Sequence, residues 1–253
     1  MASAIPSLKV DRFKKIIALI NAEKRVSLAE IEKILHVSRI TIQRDLIELE
    51  NRKLIRRFHG GAMSFDFSKD LYDYDLKKSI NIEAKRVIAE KANRLIRENH
   101  HVCLDSSSTV YYLSETIFPS NVQAVTSSID SFKNLSSRED VQVILAGGRI
   151  NRKSNTITGP EAVAMIRNFS FDLAFISAES FIPHRGFFDP HQDEAQIKRA
   201  ILECSREKVM LIDSTKLIAG SGIQICSNDE IDYVVTDKPD QPLLKKIFRD
   251  KLL

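Results

Sequence analysis

Apolar residues recur at helical spacing along the first fifty positions. Between about Val10 and Ala22, Phe13, Ile16, Ile17 and Ile20 fall on one side and Lys14 and Lys15 on the other, which predicts an amphipathic helix. Leu28, Ile31, Ile34 and Leu35 mark a second, and Ser27 with Glu30 three residues on has the pattern of a capping box. Ile42, Leu46 and Leu49 mark a third, with Ser38 placed to cap it. Only His36, Val37 and Ser38 separate the last two. Leu54 to His59 is basic and β-compatible, and Gly60-Gly61 ends it.

Residues 64–80 mix acidic and aromatic positions without a helical period and are expected to be a linker. A helix is predicted from Asn81, with Val87, Ile88, Ala92, Leu95 and Ile96 as its apolar face. Short apolar runs then alternate with amphipathic stretches. Strands are expected at 101–105, 122–126, 141–146, 172–177, 208–213 and 233–237, and helices at 109–117, 129–135, 160–168 and 193–204. That alternation predicts a mostly parallel α/β sheet covered on both faces. The expected organisation is an N-terminal winged helix-turn-helix at 8–63, a linker at 64–80 and an effector domain at 81–253.

Charge sharpens the picture. Residues 1–63 carry 13 Lys+Arg against 7 Asp+Glu, a net of +6, while the whole chain is +4, so residues 64–253 sum to −2. A positive balance local to two short helices and a basic strand fits a module that meets DNA. The outward face of the third helix carries Arg39, Thr41, Gln43 and Arg44. Arg bonds guanine bidentately, Gln bonds adenine, and Thr reaches a base or a thymine methyl. Ser38, at the helix start, and Arg56, Arg57 and His59, on the basic strand, suit phosphates. The bland alternative is an ordinary three-helix bundle with solvated charges.

Composition adds bounds rather than chemistry. Apolar content is 43% and charged content 28%, ordinary for a globular chain. No apolar run approaches the roughly 18–20 residues that span a bilayer. Residues 1–9 lack a long apolar region followed by a small-residue cleavage site, so no secretory signal is read. Cys103, Cys204 and Cys226 are odd in number and far apart, which suits a reducing cytoplasm. The six histidines show no metal-ligand spacing; neither a metal, a cofactor nor a catalytic set is expected.

In an open parallel sheet, ligands bind beyond the carboxyl ends of the strands. Polar clusters recur there. Asp105, Ser106, Ser107, Ser108 and Thr109 follow the first strand of the larger domain, and Thr126 and Ser127 close the second. Gly147, Gly148 and Arg149 follow the third, and Asp213 precedes Lys216 near the chain's end. Glu194 and Lys198 lie four apart on one helix. Each alone reads as a cap, a turn or a surface ion pair; together they suggest a pocket for a small polyhydroxylated anion, with hydroxyls and helix N–H groups on a phosphate.

The stretch VSRITIQRDLIELENRKLIRRFHGGA resembles the N-terminal signature of the DeoR-type bacterial transcription regulators, through Val37, Ser38, Thr41, Ile42, Arg44, Asp45, Leu46, Leu49, Arg57, His59, Gly60, Gly61 and Ala62. Gln43 stands where that family usually has Arg, which shifts base preference or weakens phosphate attraction. The resemblance continues in LDSSST at 104–109, VTS at 125–127, LAGG at 145–148, DLAF at 172–175, Glu194 with Lys198, and Asp213 with Lys216. Ser107 replaces the usual Gly and Ser127 the usual Asn, which bears on sugar selectivity. The resemblance implies an effector domain related to ribose-5-phosphate isomerase and a pocket for a phosphorylated sugar. It further implies a repressor of a carbohydrate catabolic operon that binds double-stranded operator DNA as a homodimer or homotetramer, since paired half-sites need paired modules. Two alternatives stand beside it. One is an isomerase-like sugar-phosphate enzyme with a DNA-binding extension, using Asp105, Glu194 and Lys198 as acid and base groups. The other is a non-specific DNA binder.

Overall fold

Ser27 opens the second helix through a full capping box. Its backbone N–H donates to Glu30 Oε2 at 2.7 Å, and Glu30 N–H donates back to Ser27 Oγ at 3.2 Å. These bonds to Ser27 hold the exposed Glu30 carboxyl below its usual range. In this computed structural model the described residues are 4–23, 25–51, 54–58, 60–64, 74–79, 81–116, 119–217 and 222–253. They fall into two units, divided between positions 80 and 81.

The first unit runs α1 (Ala4–Glu23), β1 (Arg25–Ser27), α2 (Leu28–Leu35), α3 (Arg39–Asn51), β2 (Ile55–Phe58), β3 (Gly61–Ser64) and α4 (Tyr74–Ser79). Phe13, Ile16, Ile20, Leu28, Ile31, Ile42, Leu46, Leu49 and Ile55 form its core. Each such side chain contributes about 1.5–3 kcal/mol on full burial. Ile34 is not among them: it is 52% exposed. At about 100° per residue it lies some 240° round the helix from Leu28, off the stripe that Leu28, Ile31 and Leu35 share.

The wing has more strands than the sequence pattern suggests. β1, β3 and β2 form an antiparallel sheet in that order. Gly61 permits it, because a Cβ there would lie 2.3 Å from Val26 O and 2.9 Å from Ser27 Cα. β1 and β3 were missed because three or four residues cannot display a period. α4 likewise lies within the stretch expected to be a linker; its six residues span less than two turns.

The second unit holds six parallel strands: β4 (His101–Leu104), β5 (Val122–Thr126), β6 (Val141–Leu145), β9 (Phe171–Ile176), β12 (Ser205–Leu211) and β14 (Tyr233–Val235). Their order across the sheet is β14-β12-β9-β4-β5-β6. Helices α5 (Ile82–Asn93), α6 (Ser108–Ser114), α7 (Ile129–Ser136), α8 (Pro160–Ile166), α9 (Gln192–Glu203) and α10 (Pro242–Phe248) accompany it. Two apolar clusters, one built around Phe175 and Leu104 and the other around Ile176 and Met210, make up the core. The chain builds outward from β4 to β6, then crosses to β9 on the other side of β4. The reversal lies between β4 and β9, and a crevice at such a reversal opens at the carboxyl ends of the two strands.

Two insertions at that edge carry the remaining strands. A hairpin of β7 (Arg149–Asn151) and β8 (Thr156–Thr158) follows β6 and is tied to the end of β5 by a Ser128–Thr156 bridge. β10 (Ser180–Ile182), β11 (Gly186–Asp189) and β13 (Ile223–Cys226) form a small antiparallel sheet. Phe181, Phe187 and Phe248 pack there with ring centroids 5.0–5.9 Å apart.

Candidate DNA interface and effector site

In the first unit, His36 adopts a left-handed conformation (φ 51°) and turns the chain from α2 into α3. Ile42, Leu46 and Leu49 hold α3 on the core, which leaves Arg39, Gln43 and Arg44 exposed. Ser38 Oγ lies 3.0 Å from Thr41 Oγ1 at the helix start. Asp45 is buried and fixes α3 to α1 through both guanidinium arms of Arg12, one at 3.1 Å. Its carboxylate holds the Arg12 pKa above the ordinary value. On the wing, Arg56 and Arg57 are exposed. Arg57 donates its backbone N–H and its Nε to Glu50, both at 2.8 Å, so part of its charge is answered within the unit. Arg25 stacks over the Phe58 ring at 4.3 Å.

In the second unit, Asp105 stands where β4 ends and spans the crevice. Its Oδ1 accepts from Ser107 N–H at 2.8 Å and its Oδ2 from Ser177 N–H, beyond β9, at 2.9 Å. Lys198 on α9 reaches the same carboxylate at 3.7 Å and Asp189 at 2.6 Å. All three charged groups are buried. Burial by itself lowers the Lys198 pKa, but the charges of Asp189, Asp105 and Glu194 outweigh it and hold the ammonium above the usual lysine range. Partial burial, together with the Lys198 charge, pushes His191 down to about 4.

Hydroxyls recur along the same carboxyl edge of the sheet. Ser107 Oγ caps α6 through Val110 N–H at 3.3 Å, and Ser128 Oγ caps α7 through Ser131 N–H at 3.1 Å. Thr126 Oγ1 accepts from Ser128 N–H at 3.0 Å. Thr109 Oγ1, Ser127 Oγ, Ser131 Oγ and Ser177 Oγ are buried and have no hydrogen-bond partner among the described residues. They sit just beyond β4, β5 and β9, three adjacent strands. A buried hydroxyl left unbonded costs about 1–3 kcal/mol, so four at one edge call for a polar occupant. Asp213 caps a 3-10 turn at Ser214–Lys216 by accepting from Thr215 N–H at 3.1 Å. Lys216 Nζ points back to Ala178 O at 3.3 Å and Glu179 Oε2 at 3.4 Å, on the loop after β9. An open cavity of about 560 Å³ lies elsewhere, between α5 and α6, lined by Arg86, Glu90, Arg94, Tyr112 and Glu115 among others.

Comparison with known proteins decides the family. Residues 12–67 match the DeoR-like helix-turn-helix domain and residues 80–238 match the DeoR C terminal sensor domain. The chain belongs to the DeoR family. The HTH-type transcriptional regulator GolR of Listeria innocua is 32% identical over 241 residues, 95% of each chain. The L-fucose operon activator of Haemophilus influenzae is 30% identical and covers 90% of this chain and 91% of its own. The lactose phosphotransferase system repressor of Staphylococcus aureus is also 30% identical, over 94% of this chain and 96% of its own. Among solved structures, a D-ribose-5-phosphate isomerase overlaps 54% of each chain at 15% identity with a TM-score of 0.40, a distant likeness that carries nothing further. This DeoR-family chain is thus a DNA-binding transcription regulator with an N-terminal helix-turn-helix and a C-terminal sensor domain. No helix among the described residues is long and apolar enough to cross a membrane.

Within the DeoR framework the structure gathers some of the residues singled out in the sequence and separates others. Asp105 and Lys198 share one buried cluster with the charge of Glu194. Ser106, Ser108, Thr109, Thr126, Ser127 and Asp213 are buried at the carboxyl edge. Gly147 and Gly148 are exposed beyond the edge strand β6, where Gly147 N–H meets Met165 Sδ at 3.0 Å. Arg149 is exposed too, with its guanidinium over Gly159. His59 lies outside the described residues. Asp189 and Ser177 were missed. Ser177 is the last residue of the expected strand 172–177 and directly follows β9, so it was readable there; Asp189 ends a four-residue strand of an inserted sheet that leaves no periodic trace.

Proposed function

We propose that this chain represses a carbohydrate catabolic operon and releases its operator when a phosphorylated sugar binds the second unit. Residues 8–63 form the DNA-binding domain, 64–80 the linker and 81–253 the effector domain. The names of relatives point to sugar operons: lactose phosphotransferase, L-fucose and, in Escherichia coli, a putative aga operon repressor. The observation that carries the effector reading is the set of four buried, unbonded hydroxyls beside the Asp105–Lys198–Asp189 cluster. Ser106, Ser107, Ser108 and Thr109 would take the phosphate through hydroxyls and the N–H groups opening α6. Asp105, Thr126, Ser127, Glu194 and Asp213 would address sugar hydroxyls. Gly147, Gly148 and Arg149 would close the site from a neighbouring loop, and Lys198 or Lys216 would add a charge.

On the DNA side, Arg39, Thr41, Gln43 and Arg44 read bases, and Ser38, Arg56, Arg57 and His59 hold phosphates. Paired half-sites imply a homodimer or homotetramer. The reading as a sensor rather than an enzyme is supported by Lys198, which is already engaged by two carboxylates and held charged, a poor state for a base. Calorimetry of the full chain against pentose and hexose phosphates, with product analysis alongside, tests this. Saturable binding without turnover, weakened about 10- to 150-fold by Ser108→Ala, is expected. Turnover, or unchanged binding in that variant, would overturn it.

A further inference from the structure

Of the large apolar side chains described, none is more exposed than Ile40, at 64%. It occupies the first turn of α3, one residue after Arg39. At about 100° per residue, Ile40 lies opposite Leu49 and nearly opposite Ile42, the residues that seat α3 on the core. Gln43 lies about 60° to one side of it and Arg44 about 40° to the other. Ile40 is therefore the centre of the outward face, with both flanking polar groups exposed. Ile47, at 43% exposure, continues the same line two turns on.

Neither packing nor propensity accounts for this placement. Ile40 contributes nothing to the core, and a β-branched residue is a weaker helix former than the Ala, Lys or Glu that would suit a solvated position. Single exposed apolar residues are common, but this one sits between Arg39 and Arg44 in a segment, residues 1–63, of net charge +6. A cationic rim about an apolar centre is complementary to the major groove. Phosphates line that groove, and its one apolar feature is the thymine C5 methyl. The N-terminal residues of a recognition helix are the ones that meet base edges.

We propose that Ile40 is a specificity-determining residue that packs on a thymine methyl in each operator half-site, beside the bases addressed by Gln43 and Arg44. The inference rests on reading α3 as the helix that enters the groove. Ile40 offers no hydrogen bond, so it selects by shape and desolvation. Thymine presents a methyl to it, whereas cytosine presents only a solvated amino group.

The test starts with the full chain and a random duplex pool, from which the preferred sequence is selected. Each thymine of that sequence is then replaced by deoxyuridine, which removes one methyl and leaves base pairing intact. Affinities are measured by fluorescence anisotropy for the natural protein, Ile40→Ala and Arg44→Ala. At one thymine per half-site the natural protein should lose about four-fold in affinity on loss of the methyl. Ile40→Ala, whose melting should match the natural protein because the side chain is exposed, should bind the thymine and deoxyuridine duplexes equally. If every deoxyuridine penalty survives in Ile40→Ala while Arg44→Ala changes the selected sequence, α3 reads DNA and the Ile40 assignment is wrong. If Arg44→Ala changes neither affinity nor preference, the reading of α3 itself fails. Loss of self-association in Ile40→Ala with unchanged deoxyuridine penalties would make this face a contact between copies, and would also overturn the proposal.

Discussion

Replacing Lys198 by methionine removes one charge from a site that is 4% exposed and leaves two buried carboxylates without their shared cation. Asp189 loses its 2.6 Å partner and keeps the His191 N–H at 3.1 Å. Asp105 loses the ammonium at 3.7 Å and keeps the N–H groups of Ser107 and Ser177. Removing one partner of a buried pair costs about 3–5 kcal/mol. A chain of this size has about 5–15 kcal/mol of stability in all and loses about 2–4 °C of melting temperature per kcal/mol, so a fall of roughly 6–20 °C is expected. Circular dichroism melts and urea titrations of the full chain would read it. Lys198→Met combined with Asp189→Leu should recover about 1–3 kcal/mol, because an apolar pair of similar volume replaces a buried ion pair at little cost. A single variant that melts within about 1 °C of the natural protein would refute the reasoning, since the cluster would then be hydrated or its charges already neutralised. Loss of effector response in this variant must accordingly be judged on protein shown to be folded.

Gly61→Ala should destabilise the first unit by about 1–3 kcal/mol or more and abolish DNA binding, because its Cβ would collide with Val26 O at 2.3 Å; a melt with anisotropy on duplex DNA checks this. His191 titrates at about 4 in the folded chain against 6.5 ordinarily, so the unfolded chain takes up the proton first as pH falls. Its contribution is therefore complete above about pH 6.5 and lost as pH drops toward 4, and His191→Gln should show a shallower fall in melting temperature across that window. Sedimentation of the full chain at micromolar concentration should give at least a dimer; a monomer there would count against paired half-site recognition.

Local pattern was enough for the helix-turn-helix and for the parallel strand list. Capping at Ser27, the stripe Ile42–Leu46–Leu49 and the runs before Asp105 and Ser177 depend on neighbours within one or two turns, and such chemistry is written in the chain itself. The polar strand ends were legible for the same reason: in a parallel sheet every strand delivers its C-terminal residues to one edge. Contacts between distant segments were not legible. Asp189 comes to Lys198 from a four-residue strand, and Ser177 reaches Asp105 across 72 positions. Arg57 looked free for phosphate until β2 brought it against Glu50. Ile34 is expected on the apolar stripe of the second helix, yet α2 packs on its core with that residue turned outward. Burial and pairing depend on which surfaces meet, and that is decided when the sheet order and the helix packing are set, not by any residue's immediate neighbours.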